Sequence, residues 1–295
     1  MTAAELRQRL DDCDRRRQRS RYSQVVAELP ELLQHASVLT AEARPATEVA
    51  ETAWALLDDA YQLAGSVSYR FGYLDLATLA KERAQQAAVR SGDPLRAAVA
   101  AFMGTTVRLH RGDYSGVQRV TERAQSDIAE LRSPAAQAVR AQLHLRQSIT
   151  HARSRAADRA DEHIAAAREL VGLGCPARPY YGVLASTGDV EIHWVAVPVE
   201  LADGTTTVDR AARVRIPDDE PPSELGRHWI DVARGWTLHG DRGKALDTLN
   251  QARRIAPQLT RYHPSVHETV QLLAETDRRA TDSLAGFARW AGIPL

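Results

Sequence analysis

From Tyr22 onward, apolar residues recur at three- and four-residue intervals in stretches of roughly 12 to 20 residues, with Gly, Asp or Pro in the breaks. A period near 3.6 buries one stripe of a helix and leaves the rest to water, so the pattern predicts serial helices joined by short turns. Arg111-Gly-Asp-Tyr114 and His239-Gly-Asp-Arg242 each close one apolar helix and precede the next, and Phe71-Gly-Tyr-Leu-Asp-Leu-Ala77 keeps the same count from its glycine to the next packed residue. Residues 189–208 fit least well. Asp189-Val-Glu-Ile-His-Trp-Val-Ala-Val-Pro-Val-Glu200 is β-branched and alternates enough to pass for a strand, Pro198 breaks a helix interior, and Thr205, Thr206 and Thr207 are poor helix formers. Helix is preferred there because the flanking hairpins offer a helical surface to pack on. Residues 217–224 read as a loop, with Ser223 capping the helix that follows.

The clearest unit runs from Gly226 to Pro257. Trp229, Val232, Ala233 and Trp236 form the expected packed face of its first helix, and Ala245, Leu249 and Ala252 that of its second. Small residues stand where two helices approach most closely, which matches the tetratricopeptide pattern. In that register weaker units lie near 58–90, 98–130, 141–172 and 189–217, at spacings above the roughly 34 residues of an ideal repeat. The third is recognised by Ala160, Ile164 and Ala167. The expected fold is all-α, a tetratricopeptide-like right-handed superhelical solenoid of antiparallel helix hairpins. Residues 1–20 read as a linker-like helix ahead of a repeat domain at 21–295.

Composition changes this picture little. Thirty-eight basic and thirty-eight acidic side chains cancel, so no global field draws the chain to nucleic acid or an anionic membrane. In the first twenty residues Arg15, Arg16, Arg17 and Arg19 follow Asp11, Asp12 and Asp14, the order an exposed helix uses for pairs one turn apart. Cys13 and Cys175 have no partner at disulfide or zinc spacing, and no cofactor motif is present. No signal-peptide core or membrane-spanning run occurs, so a cytoplasmic location is the default.

The search for chemistry ends in absences. His263 and His267, and His144 and His151, could share helix faces, but neither pair brings a third ligand, and Pro264 puts His263 before a helix start. Gly172-Leu-Gly174 lacks the third glycine and preceding strand of a phosphate loop, Ala185-Ser-Thr-Gly188 is no nucleophile elbow, and no nucleophile with base and orienting acid can be assembled locally. An enzyme is not expected.

Four further stretches, Arg21-Tyr22 with Glu28-Leu-Pro-Glu-Leu-Leu33, Lys81-Glu-Arg-Ala84 with Ser91-Gly-Asp-Pro94, Arg227-His-Trp-Ile-Asp-Val-Ala-Arg234, and Tyr262-His-Pro-Ser-Val-His-Glu-Thr269, together resemble the tetratricopeptide-like C-terminal region of actinobacterial Cro/C1-type helix-turn-helix transcriptional regulators. The resemblance covers nearly the whole chain and implies a helical array that senses a ligand or mediates self-association. The sequence begins where that family's linker would follow its DNA-binding domain, which implies no sequence-specific DNA binding by this chain alone. It leaves open a piece of a longer regulator and a stand-alone relative.

A solenoid's inner surface comes mostly from the first helix of each hairpin. The register nominates Gln62, Ser66 and Tyr69, then Phe102, Thr106 and Leu109, Gln142 and Ile149, His193 and Val197, and finally Arg227, Ile230 and Arg234. Arg227 and Arg234 would supply charge for an acidic ligand or peptide C-terminus, and Tyr69, Phe102 and His193 a flatter apolar wall. Bracketing of Asp231 by the two arginines on an exposed face competes evenly with that role. The expected partner is a peptide, small molecule or protein in the groove, with a homodimer as a further possibility. A passive scaffold or dimerisation module is the alternative function: a deep mixed cavity would favour a ligand, a shallow trough filled by the chain's own tail a scaffold, and clustered groups with displaced pKa an enzyme.

Overall fold

A computed structural model of the protein describes residues 1–175, 183, 185–276 and 282–294. Among these residues the chain forms fifteen helices and no strand. α1 (Ala3–Gln18) and α2 (Tyr22–Glu42) form a first hairpin. The five expected units follow as α3 (Glu48–Arg70) with α4 (Leu74–Arg90), α5 (Pro94–His110) with α6 (Tyr114–Asp127), α7 (Pro134–Arg153) with α8 (Ala157–Gly172), α9 (Thr187–Glu200) with α10 (Gly204–Arg213), and α11 (Pro222–His239) with α12 (Arg242–Ile255). α13 (Pro257–Tyr262), α14 (Pro264–Thr276) and α15 (Asp282–Ala291) complete the chain. The fold is a helical solenoid of stacked hairpins.

The turns show why the helices stop and restart where they do. Gly112 and Gly240 adopt φ of 78° and 97°, a left-handed conformation that carries no side-chain penalty in glycine. The aspartates that follow cap the next helices: Asp113 accepts from the Gly116 N–H at 2.9 Å and Asp241 from the Lys244 N–H at 3.0 Å. Ser20, Arg155 and Ala202 reach the same region without being glycine, with φ of 56°, 65° and 62°.

The doubtful segment is helical. Ser186 caps α9 by accepting from the Asp189 N–H, and Pro198 falls in its last turn. Proline has no N–H to give the carbonyl four residues back, here that of Trp194, but Arg210 Nη1 of α10 donates to that oxygen at 2.8 Å. α11 starts earlier than expected. Pro222 occupies its first turn, where a missing N–H costs nothing, so Ser223 lies inside the helix rather than capping it, its buried Oγ without a partner among the described residues.

Packing moves two expected core positions. Ala245, Leu249 and Ala252 are fully buried, as the repeat register requires. Trp229 and Trp236, expected to be buried with them, are only half-buried, because Ile230 of the same helix takes the core position. Ile230 therefore does not line an inner surface, and neither does Val197, which packs between α7, α8 and α9. Trp236 instead carries the Lys244 ammonium 4.3 Å from its ring centre.

α1 is no separable linker. Leu6, Leu10 and Cys13 are buried with α2 and α3, while Arg9 and Arg16 pair with Glu28, Arg15 with Asp12 and Arg17 with Asp14. The same core continues through Leu249, Leu259, Val266, Leu273 and Phe287 of the last helices. Gln258 accepts from the Ser23 N–H at 3.0 Å and donates to Ser23 Oγ at 2.9 Å, and Phe71 meets Tyr262 edge-on at 4.8 Å. The array thus curls until its last helices pack on its first, and the expected open groove becomes a cavity.

Candidate functional site

The first helices of five hairpins face this cavity, whose volume is about 520 Å³. α1 and the segment from Leu259 to Glu268 complete its rim. Ten of the thirteen nominated residues, Ser66, Tyr69, Phe102, Thr106, Leu109, Gln142, Ile149, His193, Arg227 and Arg234, line it together. Gln62 does not line it. That residue stands behind the wall, where its Oε1 accepts from the Lys81 ammonium at 2.7 Å and its Nε2 donates to Asp58 at 3.2 Å.

Most charges on the wall are matched. Glu200 accepts from Arg153 and Arg234 at 2.9 and 3.0 Å, and Arg234 also pairs with Asp231 at 3.0 Å. Arg227 reaches Glu224 at 3.0 Å and Asp189 at 3.4 Å, and His193 lies 3.2 Å from Asp189. Burial alone would raise the Asp189 and Glu200 carboxyls, but His193 and Arg227 beside the first, and Arg234 and Arg153 beside the second, hold both below the usual range. Arg227 and Arg234 therefore line the cavity with their charge already matched by the protein's own carboxylates, including the Asp231 that both were expected to bracket.

Three cations on the wall have no such match. Lys81, Arg146 and Arg70 form no ion pair with any described residue. Lys81 is 6% exposed and reaches the cavity from α4 by laying its stem across α3 at Gly65, where an added Cβ would come within 2.9 Å of it. Burial, with Arg17 and Arg146 nearby, pushes its amine down to about 7. Arg146 lies with its guanidinium 4.8 Å from the Phe102 ring centre, its Nη2 reaches the Thr106 hydroxyl at 3.4 Å, and its Nε is shut from solvent with no acceptor among the described residues. Burial and the nearby Arg153, Arg227 and Arg70 pull it down to about 10. Burial first, with Arg70, Arg234 and Arg227 nearby, pushes His263 down to about 3, so that imidazole is neutral.

Two of the three unmatched positions left a mark in the sequence. Lys81, one of only two lysines, stands at helical spacing between Ala77 and Ala84, a cation in a seam of small residues. Arg146 follows Gln142 by four residues and precedes Ile149 by three, so it shares their face.

The histidines form a separate group. His144 and His151 of α7 both meet His163 of α8, with ring centres 5.1 Å apart in each case and 2.8 Å between Nδ1 of His144 and Nδ1 of His163. Among the described residues no cluster of three His, Cys, Asp or Glu has metal-holding geometry. No described helix is long and apolar enough to cross a membrane.

No family model matches the chain, and no curated protein matches it. Among solved structures it is similar to the crystal structure of BtubC (BKLC) from P. vanneervenii, with a TM-score of 0.50 and 16% sequence identity over 82% of this chain and 94% of that one. A likeness at that identity speaks to the fold.

Proposed function

We propose that this chain is a regulatory module that takes a small molecule or a peptide end into its central cavity and changes shape or assembly when it does so. The observation that carries this reading is a cavity of about 520 Å³, inside the size range of ligand pockets, whose wall joins apolar side chains to the buried Lys81 and the half-buried Arg146, neither with a carboxylate partner among the described residues. A buried charge without a partner is costly, and a protein that keeps one gains most when a ligand supplies the opposite charge. The likeness of several sequence stretches to the C-terminal region of helix-turn-helix regulators supports the sensing half of a transcriptional regulator. Direct operator recognition is not part of the proposal, because the total charge is balanced and the arginines of α1 are paired with acids.

Native mass spectrometry of protein purified from its own host tests the proposal, since it reports retained ligand and assembly state together. A bound mass released by denaturation is expected. A bare chain that also shows no thermal shift with any metabolite of a broad library would move the scaffold reading into first place.

One observation favours an enzyme as a second reading. The Lys81 amine, held near neutrality in a cavity, has the character of a nucleophile toward carbonyl compounds. Borohydride trapping of an adduct on Lys81 would support it.

A further inference from the structure

We propose that the ligand is an amphipathic organic anion whose oxyanion head is held between Arg146 and Lys81 and whose apolar body lies along Phe102, Leu109 and Ile149. This rests on the reading of the cavity as a ligand site and names the chemistry it selects. The two cations reach the cavity from different hairpins, Lys81 from α4 and Arg146 from α7, and neither has a carboxylate partner among the described residues. Each is nevertheless fixed in place. Gln62 accepts twice from the Lys81 ammonium, through Oε1 at 2.7 Å and its backbone carbonyl at 3.3 Å, and the Phe102 ring lies beneath the Arg146 guanidinium. Such preorganised donors lose little freedom when an anion arrives.

The remaining wall argues for a mixed rather than a purely ionic guest. Phe102, Leu109 and Ile149 border the same space, and Arg153, Arg227 and Arg234 there are already neutralised, while Arg70 adds a third cation without a carboxylate partner among the described residues. A free inorganic ion would leave that apolar surface wet. A cationic guest would meet the unmatched side chains with like charge, and a neutral one would leave them as they are.

The charged neighbours of Lys81 are Arg17 of α1, Asp58 of α3 and Arg146 of α7. Two of the three repel its proton, and an oxyanion between Lys81 and Arg146 would restore it. Binding is therefore expected to take up a proton above neutral pH, which gives a readout that a purely structural lysine would not move.

The experiment measures affinity by calorimetry on the full chain, with octanoate, octyl phosphate, octanamide, octylamine and inorganic phosphate as probes. Octanoate or octyl phosphate is expected to bind, which of the two is tighter distinguishing a carboxylate from a phosphate head, with octanamide, octylamine and inorganic phosphate at least tenfold weaker. Arg146→Met and Lys81→Met are each expected to weaken the preferred acid at least tenfold, with folding checked by circular dichroism. In the parent, affinity for the acid should fall as pH rises from 7 to 9, below the range in which Arg146 titrates, and in Lys81→Met it should not. Should either variant fail to fold, this pH dependence in the parent decides alone. Octanamide or octylamine binding as tightly as the acids, absence of binding by both acids, or an acid affinity flat from pH 7 to 9 would overturn the proposal. A neutral or cationic molecule retained from the host would overturn it while leaving the cavity a ligand site, whereas an empty cavity toward every class of compound would remove both.

Discussion

Lys81 ties one side chain to the stability of the whole fold. Its amine titrates near 7 in the folded chain against an ordinary value of 10.5, so between those limits the unfolded chain holds a proton that the folded chain has shed, and stability rises with pH. Removing the amine in Lys81→Met should flatten the stability profile between pH 7 and 10 by about 1 kcal/mol per pH unit, read from urea denaturation at three pH values. Equal slopes for parent and variant would show that the lysine is not buried as described. Burial also ranks the substitutions around the clearest repeat. Leu249→Ala removes a side chain with 0% exposure and should cost about 2 to 5 kcal/mol, more than Trp236→Ala, whose ring keeps contact with water. The sequence placed both tryptophans in the core because the repeat pattern puts large aromatics there. It could not show that Ile230, one residue from Trp229, wins the core position, because a rotation of the helix by a fraction of a turn leaves the pattern unchanged. The cavity face was more legible: ten of thirteen nominated residues line one space, since a common register on five first helices aims them at a common axis. Charge balance was not legible, because the carboxylates that neutralise Arg227 and Arg234 include Asp189 and Glu200 of another hairpin.

At the level of elements, the sequence revealed those hairpins whose turns carry glycine followed by aspartate. The turns at Ser20, Arg155 and Ala202 use the same left-handed geometry without glycine, so no residue marked them. That geometry costs an L-residue roughly 1–2 kcal/mol, and Ala202→Gly should recover about 1 kcal/mol of it, offset in part by the greater freedom of glycine in the unfolded chain. A midpoint of thermal unfolding unchanged or lowered by Ala202→Gly would contradict this turn. Two residues further on, Gly204→Ala should act in the opposite sense. An added Cβ would stand 2.4 Å from the His239 nitrogen and 2.7 Å from the Gly235 oxygen, and since both are backbone atoms α10 must move off α11, at a cost of about 1 to 3 kcal/mol. The pair of variants, adjacent in sequence and of opposite expected sign, is a sharp check on the α9–α10 hairpin. Helix was the right reading of this segment, although its β-branched composition argued for strand, because Arg210 supplies the donor that Pro198 lacks.

Across the molecule, the hairpins were foreseeable one by one and their closure was not, because nothing in a repeat register says how far successive rotations accumulate. Closure makes a definite prediction about Phe287, which is 1% exposed in a core shared by the first three and the last helices. Phe287→Ala should cost about 3 to 5 kcal/mol and speed amide exchange in α1 to α3, remote in sequence, as much as in α12 to α14. Exchange that rises only in the last helices would mean that the ends of the array are independent. The joint between Ser23 and Gln258 also bears on kinetics. Open repeat arrays rely on nearest-neighbour contacts, and folding can start at any unit and spread. Here the final contacts link residues 235 positions apart, so the loop-closure entropy of nearly the whole chain must be met before they form. Rates fall as contacts become less local, and a structure that is complete only when its ends meet cannot shed units one at a time. A chain assembled from local hairpins is thus expected to fold with the slowness of a protein of high contact order and to unfold in a single step.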